Sequence, residues 1–129
     1  GIETFLTASA VDCVVAQRLV RKLCPSCKRR TMIPTEALIG AGVRSGADVE
    51  GYEPVGCPRC ASTGYRGRVG IYSAMSMSER LKELTIQRAA EPEIAAVAEE
   101  EGMLTLREDG ISKVRAGVTS LEEVLRVTV

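Results

Sequence analysis

Two short motifs constrain this chain more than anything else in it: Cys24-Pro25-Ser26-Cys27 and Cys57-Pro58-Arg59-Cys60. A CxxC turn doubles the backbone back so that two sulfurs converge on one point. Two such turns supply four thiolates, the ligand count of a tetrahedral zinc site. The prolines preset the turns. Lys28 and Arg59 put positive charge beside a centre that would itself be negative. A thioredoxin-type redox motif needs a single CxxC at a helix start, and a disulfide scaffold needs a secretory context; the sequence displays neither. Structural zinc held by Cys24, Cys27, Cys57 and Cys60 is the favoured reading, with disulfide or redox chemistry and an iron–sulfur cluster as the alternatives. A full four-sulfur shell leaves no open coordination position, so such a metal is structural and not catalytic. The fifth cysteine, Cys13, reads as a small buried apolar residue in a helix.

Composition removes several function classes. The 129 residues include no histidine, which excludes Ser-His and Cys-His catalysis and any histidine-containing metal site. Phe5, Tyr52, Tyr65 and Tyr72 are the only aromatics, so the core is aliphatic and little is available for stacking bases. Basic and acidic side chains number 17 each, a balance that argues against a nucleic-acid coat or membrane-surface binder. That balance is uneven along the chain: residues 1–30 carry net +4 and the remainder net −4. No apolar run reaches the ~18–20 residues of a membrane span, and no signal peptide opens the chain. The length suits one ordinary domain or two small ones.

The expected fold class is α+β and mostly helical. Residues 8–23 read as one long helix with Thr7 as N-cap, since Val11, Val15, Leu19 and Leu23 form an i, i+4 ridge. It is apolar around so much of its girth that more than one neighbour is expected to cover it. This, with the opening glycine, reads as the cut end of a longer chain. Residues 34–43 suggest a short helix with Pro34 in its first turn. Residues 52–55 and 65–72 suggest strands flanking the second knuckle, at the tip of a hairpin-like arm, with Gly67, Val69 and Ile71 alternating with Arg66, Arg68 and Tyr72. Four short helices follow, marked by Leu81 and Leu84, by Pro92 to Gly102, by Leu106 to Val114, and by Leu121 to Leu125. Ser76-x-x-Glu79, Thr105-x-x-Glu108 and Thr119-x-x-Glu122 match the capping box. The expected organisation is 1–23, 24–74 around the cysteines, and 75–129 as a helical subdomain. The acidic run Glu99-Glu100-Glu101 reads as solvated surface. There is no GxxxxGK[ST] and no GxGxxG, so no catalytic residue and no cofactor-binding residue other than the cysteines is proposed.

Three blocks occur in a distinctive order: ASAVDCVVAQRLVRKLCPSCK, then YEPVGCPRCASTGYRGRVGIY, then EEGMLTLREDGISKVRAGVTSLEEVLRVT. Together they resemble the C-terminal part of the type II secretion and type IV pilus assembly ATPases, from Gly1 to Thr128. The resemblance implies a hexameric cytoplasmic motor, peripheral at the inner membrane, whose RecA-like domain hydrolyses ATP with Mg²⁺ to assemble pilin or pseudopilin subunits. It implies that residues 1–23 are the tail of that domain, 24–74 a tetracysteine zinc-binding subdomain with Cys24, Cys27, Cys57 and Cys60 as ligands, and 75–129 the C-terminal helices. The implied partners are other motor subunits and the inner-membrane platform, with no nucleic acid and no membrane span. This stretch then has no active site of its own and is an interaction module. Arg18 and Arg21 match basic positions of the AQRLVR block, with no role attached. The runner-up is a zinc-ribbon nucleic-acid-binding module, using Lys28, Arg29, Arg30, Arg59, Arg66 and Arg68 as a basic patch. The residues do not separate secretion from pilus biogenesis.

Overall fold

The computed structural model describes residues 2–128. Its elements run α1 (Thr4–Ala10), β1 (Cys13–Leu23), β2 (Arg29–Ile33), α2 (Thr35–Gly40), β3 (Val49–Glu53), a 3₁₀ turn (Pro58–Cys60), β4 (Tyr65–Ser76), α3 (Glu79–Ile86), α4 (Glu91–Glu100), α5 (Leu106–Arg115) and α6 (Leu121–Val127). This is the expected α+β class. Two small sheets are present: β1 pairs with β4, and β2 pairs with β3. The β2–β3 pair is antiparallel, with Thr31 opposite Gly51 and Ile33 opposite Val49. Two compact units are formed, one by residues 1–16 and 72–105, the other by residues 17–71 and 106–129.

The first unit is helical around α3 and α4. Leu81, Val97 and Ala98 form its buried cluster, with Met75, Met77, Leu84, Ile94 and Met103 packed against it. Ser78 caps α3 by accepting from the Leu81 N–H at 3.2 Å, and Pro92 occupies the first turn of α4, where its missing N–H costs nothing. The Thr4 hydroxyl donates to the Ile86 carbonyl at 3.3 Å, tying α1 to the end of α3. The acidic run is exposed, with Glu100 paired to Arg80 at 3.4 Å.

The second unit carries the cysteines. Ile33, Leu38, Val114 and Val124 form its buried cluster, drawn from β2, α2, α5 and α6. Asp48 holds the start of α2, accepting from the Thr35 N–H at 2.8 Å and the Thr35 hydroxyl at 2.9 Å. Both bonds stabilise its charged form and lower its pKa. Ser120 caps α6, accepting from the Glu123 N–H at 3.2 Å.

Several expectations are corrected. Residues 13–23 form strand β1, not a helix, and Thr7 lies inside α1 rather than capping a long one. Val14, Val15 and Val20 are β-branched residues that suit a pleated strand better than a helix. The i, i+4 ridge misled because only Val20 and Leu23 of the strand are buried, so no period-two alternation marks it. Cys13 is exposed, not buried. The strands flanking the second knuckle belong to different sheets, so that knuckle is not the tip of a hairpin. Strand β2 had no sequence signal. Two caps fall later than expected, at Ser78 instead of Ser76 and at Ser120 instead of Thr119. The four C-terminal helices do not share one core, since α3 and α4 belong to the first unit and α5 and α6 to the second.

Candidate metal centre

The first knuckle leaves the end of β1 directly. The Leu23 N–H donates to the Val118 carbonyl at 2.8 Å, and the Cys24 N–H donates to the Gly64 carbonyl at 3.0 Å. The two knuckles are thus tied together by backbone. Inside the first, the Cys24 carbonyl accepts from the N–H groups of Cys27 at 3.4 Å and Lys28 at 3.0 Å. The second is the 3₁₀ turn, opened by Pro58. The Cys57 carbonyl accepts there from the Cys60 N–H at 3.2 Å and the Ser62 N–H at 2.9 Å. The chain reverses through left-handed Ala61 (φ 54°) and Ser62 (φ 63°), conformations that residues with a Cβ adopt at a cost. Gly64 completes the reversal at φ +83°, and a Cβ there would lie 2.4 Å from the Cβ of Pro54. Only glycine meets both demands.

This folding brings the four sequence-marked sulfurs into one cluster, all within 4.8 Å of one another. The Sγ–Sγ distances are 3.8 Å for Cys24–Cys57, 3.9 Å for Cys27–Cys60 and 3.7 Å for Cys57–Cys60. Thiolates about 2.3 Å from a central zinc define a tetrahedron with edges of about 3.8 Å. A disulfide requires about 2.0 Å, and all five cysteines are free. Donor type, number and spacing fit a tetrahedral metal ion, and the cluster can hold one.

Backbone donors favour thiolate at selected positions. The Cys57 and Gly64 N–H groups point at Cys60 Sγ, at 3.3 and 3.2 Å. Burial opposes charge on Cys60, but these donors win and bring its pKa to about 6. Cys24 behaves likewise: burial raises, while hydrogen bonds involving Ser26, Cys57 and Cys27 lower it further. At Cys27 burial dominates over the single N–H from Gly56, 3.4 Å away, and the pKa rises to about 11. A cation at the centre would favour thiolate on all four.

The cations near the knuckles are largely engaged. Lys28 Nζ donates to the Gly117 carbonyl at 2.9 Å and lies 4.5 Å from the centroid of the Tyr52 ring. Arg29 pairs with Glu53, and Arg30 pairs with Glu50 at 2.9 Å. Arg59, Arg66 and Arg68 are exposed. Of the basic patch that the runner-up reading invokes, Arg29 and Arg30 are thus charge-paired on the first-knuckle side.

Arg18 and Arg21 prove unlike. Arg18 is exposed and donates to the neighbouring Gln17 carbonyl at 2.8 Å. Arg21 grips Glu123, whose side chain is 1% exposed. Glu123 accepts from the Arg21 backbone N–H at 2.7 Å, from Arg21 Nε at 3.0 Å and Nη2 at 2.7 Å, and from Arg126 Nε at 2.9 Å and Nη2 at 3.0 Å. Burial pushes its pKa up, but the two guanidinium groups and the backbone donor hold it down at about 2. Arg21 also lies 4.2 Å from the Tyr65 ring centroid, while the Thr119 hydroxyl donates to the Arg21 carbonyl at 2.7 Å. The sequence reading did not single out Glu123. Its signal was the capping box counted from Ser120, which puts Glu123 at the third helical position.

The sequence matches the family described as Type II/IV secretion system protein over residues 1–126. It is 41% identical to the type IV pilus assembly ATPase PilB of Acinetobacter baylyi over 132 residues, covering 99% of this chain and 23% of that protein. Type II secretion system protein E of Aeromonas hydrophila is 42% identical over 128 residues, covering 99% of this chain and 25% of that protein. PilB of Myxococcus xanthus is 45% identical over 130 residues, with 97% and 23% covered. The chain belongs to the Type II/IV secretion system protein family. It spans about a quarter of the length of these curated relatives. Among the described residues, no helix is long and apolar enough to cross a membrane.

Proposed function

We propose that this chain is the zinc-binding C-terminal part of a motor ATPase that drives pilin or pseudopilin assembly, in type IV pilus biogenesis or type II secretion. Cys24, Cys27, Cys57 and Cys60 hold one structural Zn²⁺, which supplies a rigid cross-link between two loops and no catalysis. The observation that carries this reading is the sulfur cluster at tetrahedral edge spacing in a member of a secretion-motor family. Residues 1–23 act as the tail of the RecA-like domain, 24–74 as the zinc-binding subdomain and 75–129 as C-terminal helices. ATP and Mg²⁺ are handled by segments outside this stretch, which has no active site of its own and serves as a structural and interaction module. The partners are neighbouring motor subunits and the inner-membrane platform, which puts the motor in the cytoplasm at that membrane.

The test is Cys57→Ser in the full-length motor carrying this sequence. Nucleotide binding should persist while pilus assembly or secretion is lost. Normal export from that variant would refute the proposed role.

A further inference from the structure

A cavity of about 510 Å³ lies in the second unit, between the loop after α2 and one face of α5. Its volume is in the range of pockets that take small ligands or peptide side chains. Val43 and Ile111 give it an apolar floor, and Arg44, Glu108, Ser112 and Arg115 supply its polar wall. Arg44 and Arg115 are exposed, and among the described residues neither guanidinium forms a hydrogen bond or ion pair. The loop bearing Arg44 is held in place: Arg107 Nη1 donates to the Ala41 carbonyl at 2.9 Å, and its other nitrogens bond Thr128 Oγ1 at 3.1 Å and the Thr128 carbonyl at 2.8 Å. The Val43 N–H also donates to the Leu38 carbonyl at 2.9 Å.

The wall has an electrical direction. Glu108, Ser112 and Arg115 fall on one stripe of α5 at i, i+4 and i+7. Seven residues of helix separate the acid from the arginine by roughly 10 Å. A polyproline-II segment rises about 3.1 Å per residue with three residues per turn, so its side chains three apart share one face at about that distance. Guanidinium groups recognise carboxylates bidentately, while the carboxylate of Glu108 disfavours a ligand that is anionic throughout. We propose that this cleft binds a polyproline-II segment of a partner protein that carries an acidic side chain three residues from a basic one. The acidic group sits at Arg44 and Arg115, with Ser112 as an added donor, and the basic group sits toward Glu108. The proposal does not depend on the motor reading, because it rests on residues outside the cysteine cluster.

The test uses the zinc-loaded chain and a blocked tetrapeptide with lysine and glutamate at its ends and two glycines between. Titration followed by amide NMR should shift residues 42–44 and 108–115 saturably, with affinity roughly tenfold above that of the same peptide with glutamines at both ends. Arg44→Ser and Arg115→Ser, both at exposed positions, should each reduce binding toward the neutral-peptide level while the remaining amide spectrum is unchanged. Glu108→Gln should remove the preference for the lysine end and leave the glutamate preference. Absence of saturable shifts at these residues, or wild-type binding by both arginine variants, would overturn the proposal. Free succinate binding as tightly as the peptide would also overturn it, in favour of a small-carboxylate site.

Discussion

Glu123 is a charge that folding takes out of water, and it stays charged because five donor contacts from Arg21 and Arg126 surround it. Both arginines remain about half exposed, at 47% and 53%. Desolvation therefore falls mainly on the carboxylate, and removing it leaves cations that water can reach. Glu123→Gln should cost about 2–3 kcal/mol in urea unfolding at neutral pH. Because the folded pKa, about 2, lies below the ordinary 4.5, this stabilisation is complete above pH 4.5 and fades as pH falls toward 2. The stability gap between wild type and Glu123→Gln should follow that curve. Acid protonation of the thiolates is common to both chains and cancels in the difference. A gap that widens on acidification would contradict the assignment. Gly64 makes a second residue-level case. Gly64→Ala adds a Cβ that clashes with Pro54 at a left-handed position and displaces the N–H aimed at Cys60. Its metal stoichiometry should fall well below that of wild type when measured after gel filtration with a competing chelator.

At the scale of elements, α5 and α6 cross where Gly110 meets Val124. A Cβ on Gly110 would lie 2.5 Å from one Val124 methyl and 2.9 Å from the other, and Val124 is fully buried. In an exposed helix, Gly→Ala gains up to about 1 kcal/mol. Here overpacking of about 1–3 kcal/mol opposes it. Gly110→Ala should therefore destabilise the chain, with a lower unfolding midpoint by calorimetry; a rise would show that the crossing yields easily. These helices were legible in the sequence because capping residues and apolar spacing agreed. Ser120 illustrates the limit: two adjacent hydroxyl residues each preceded an acid by three positions, and only packing selected the second. Strand β1 was not legible, since its backbone bonds are satisfied by β4, more than forty residues later in the chain. Strand β2 was hidden for the same reason, with Arg29 and Arg30 paired to Glu53 and Glu50 across the ladder.

For the whole molecule, the cysteine spacing announced the cluster, while the residues that set its shape were visible only in three dimensions. Gly64 and the left-handed Ala61 and Ser62 have no sequence signature that separates them from an ordinary turn. All four cysteines of the cluster belong to the second unit, whereas the first is held by an apolar core around Leu81 with no cysteine of the cluster in it. Chelation should therefore abolish amide protection in β2, β3, α5 and α6 and spare α3 and α4 in hydrogen exchange. Uniform loss across the chain would show one cooperative unit instead. The central claim is that four sulfurs hold one zinc ion, and zinc-edge X-ray absorption on the purified chain, with metal quantified by mass spectrometry, tests it most directly. The account predicts one zinc per chain with four sulfur neighbours at about 2.3 Å; substoichiometric zinc, a shell containing oxygen or nitrogen, or iron in its place would contradict it.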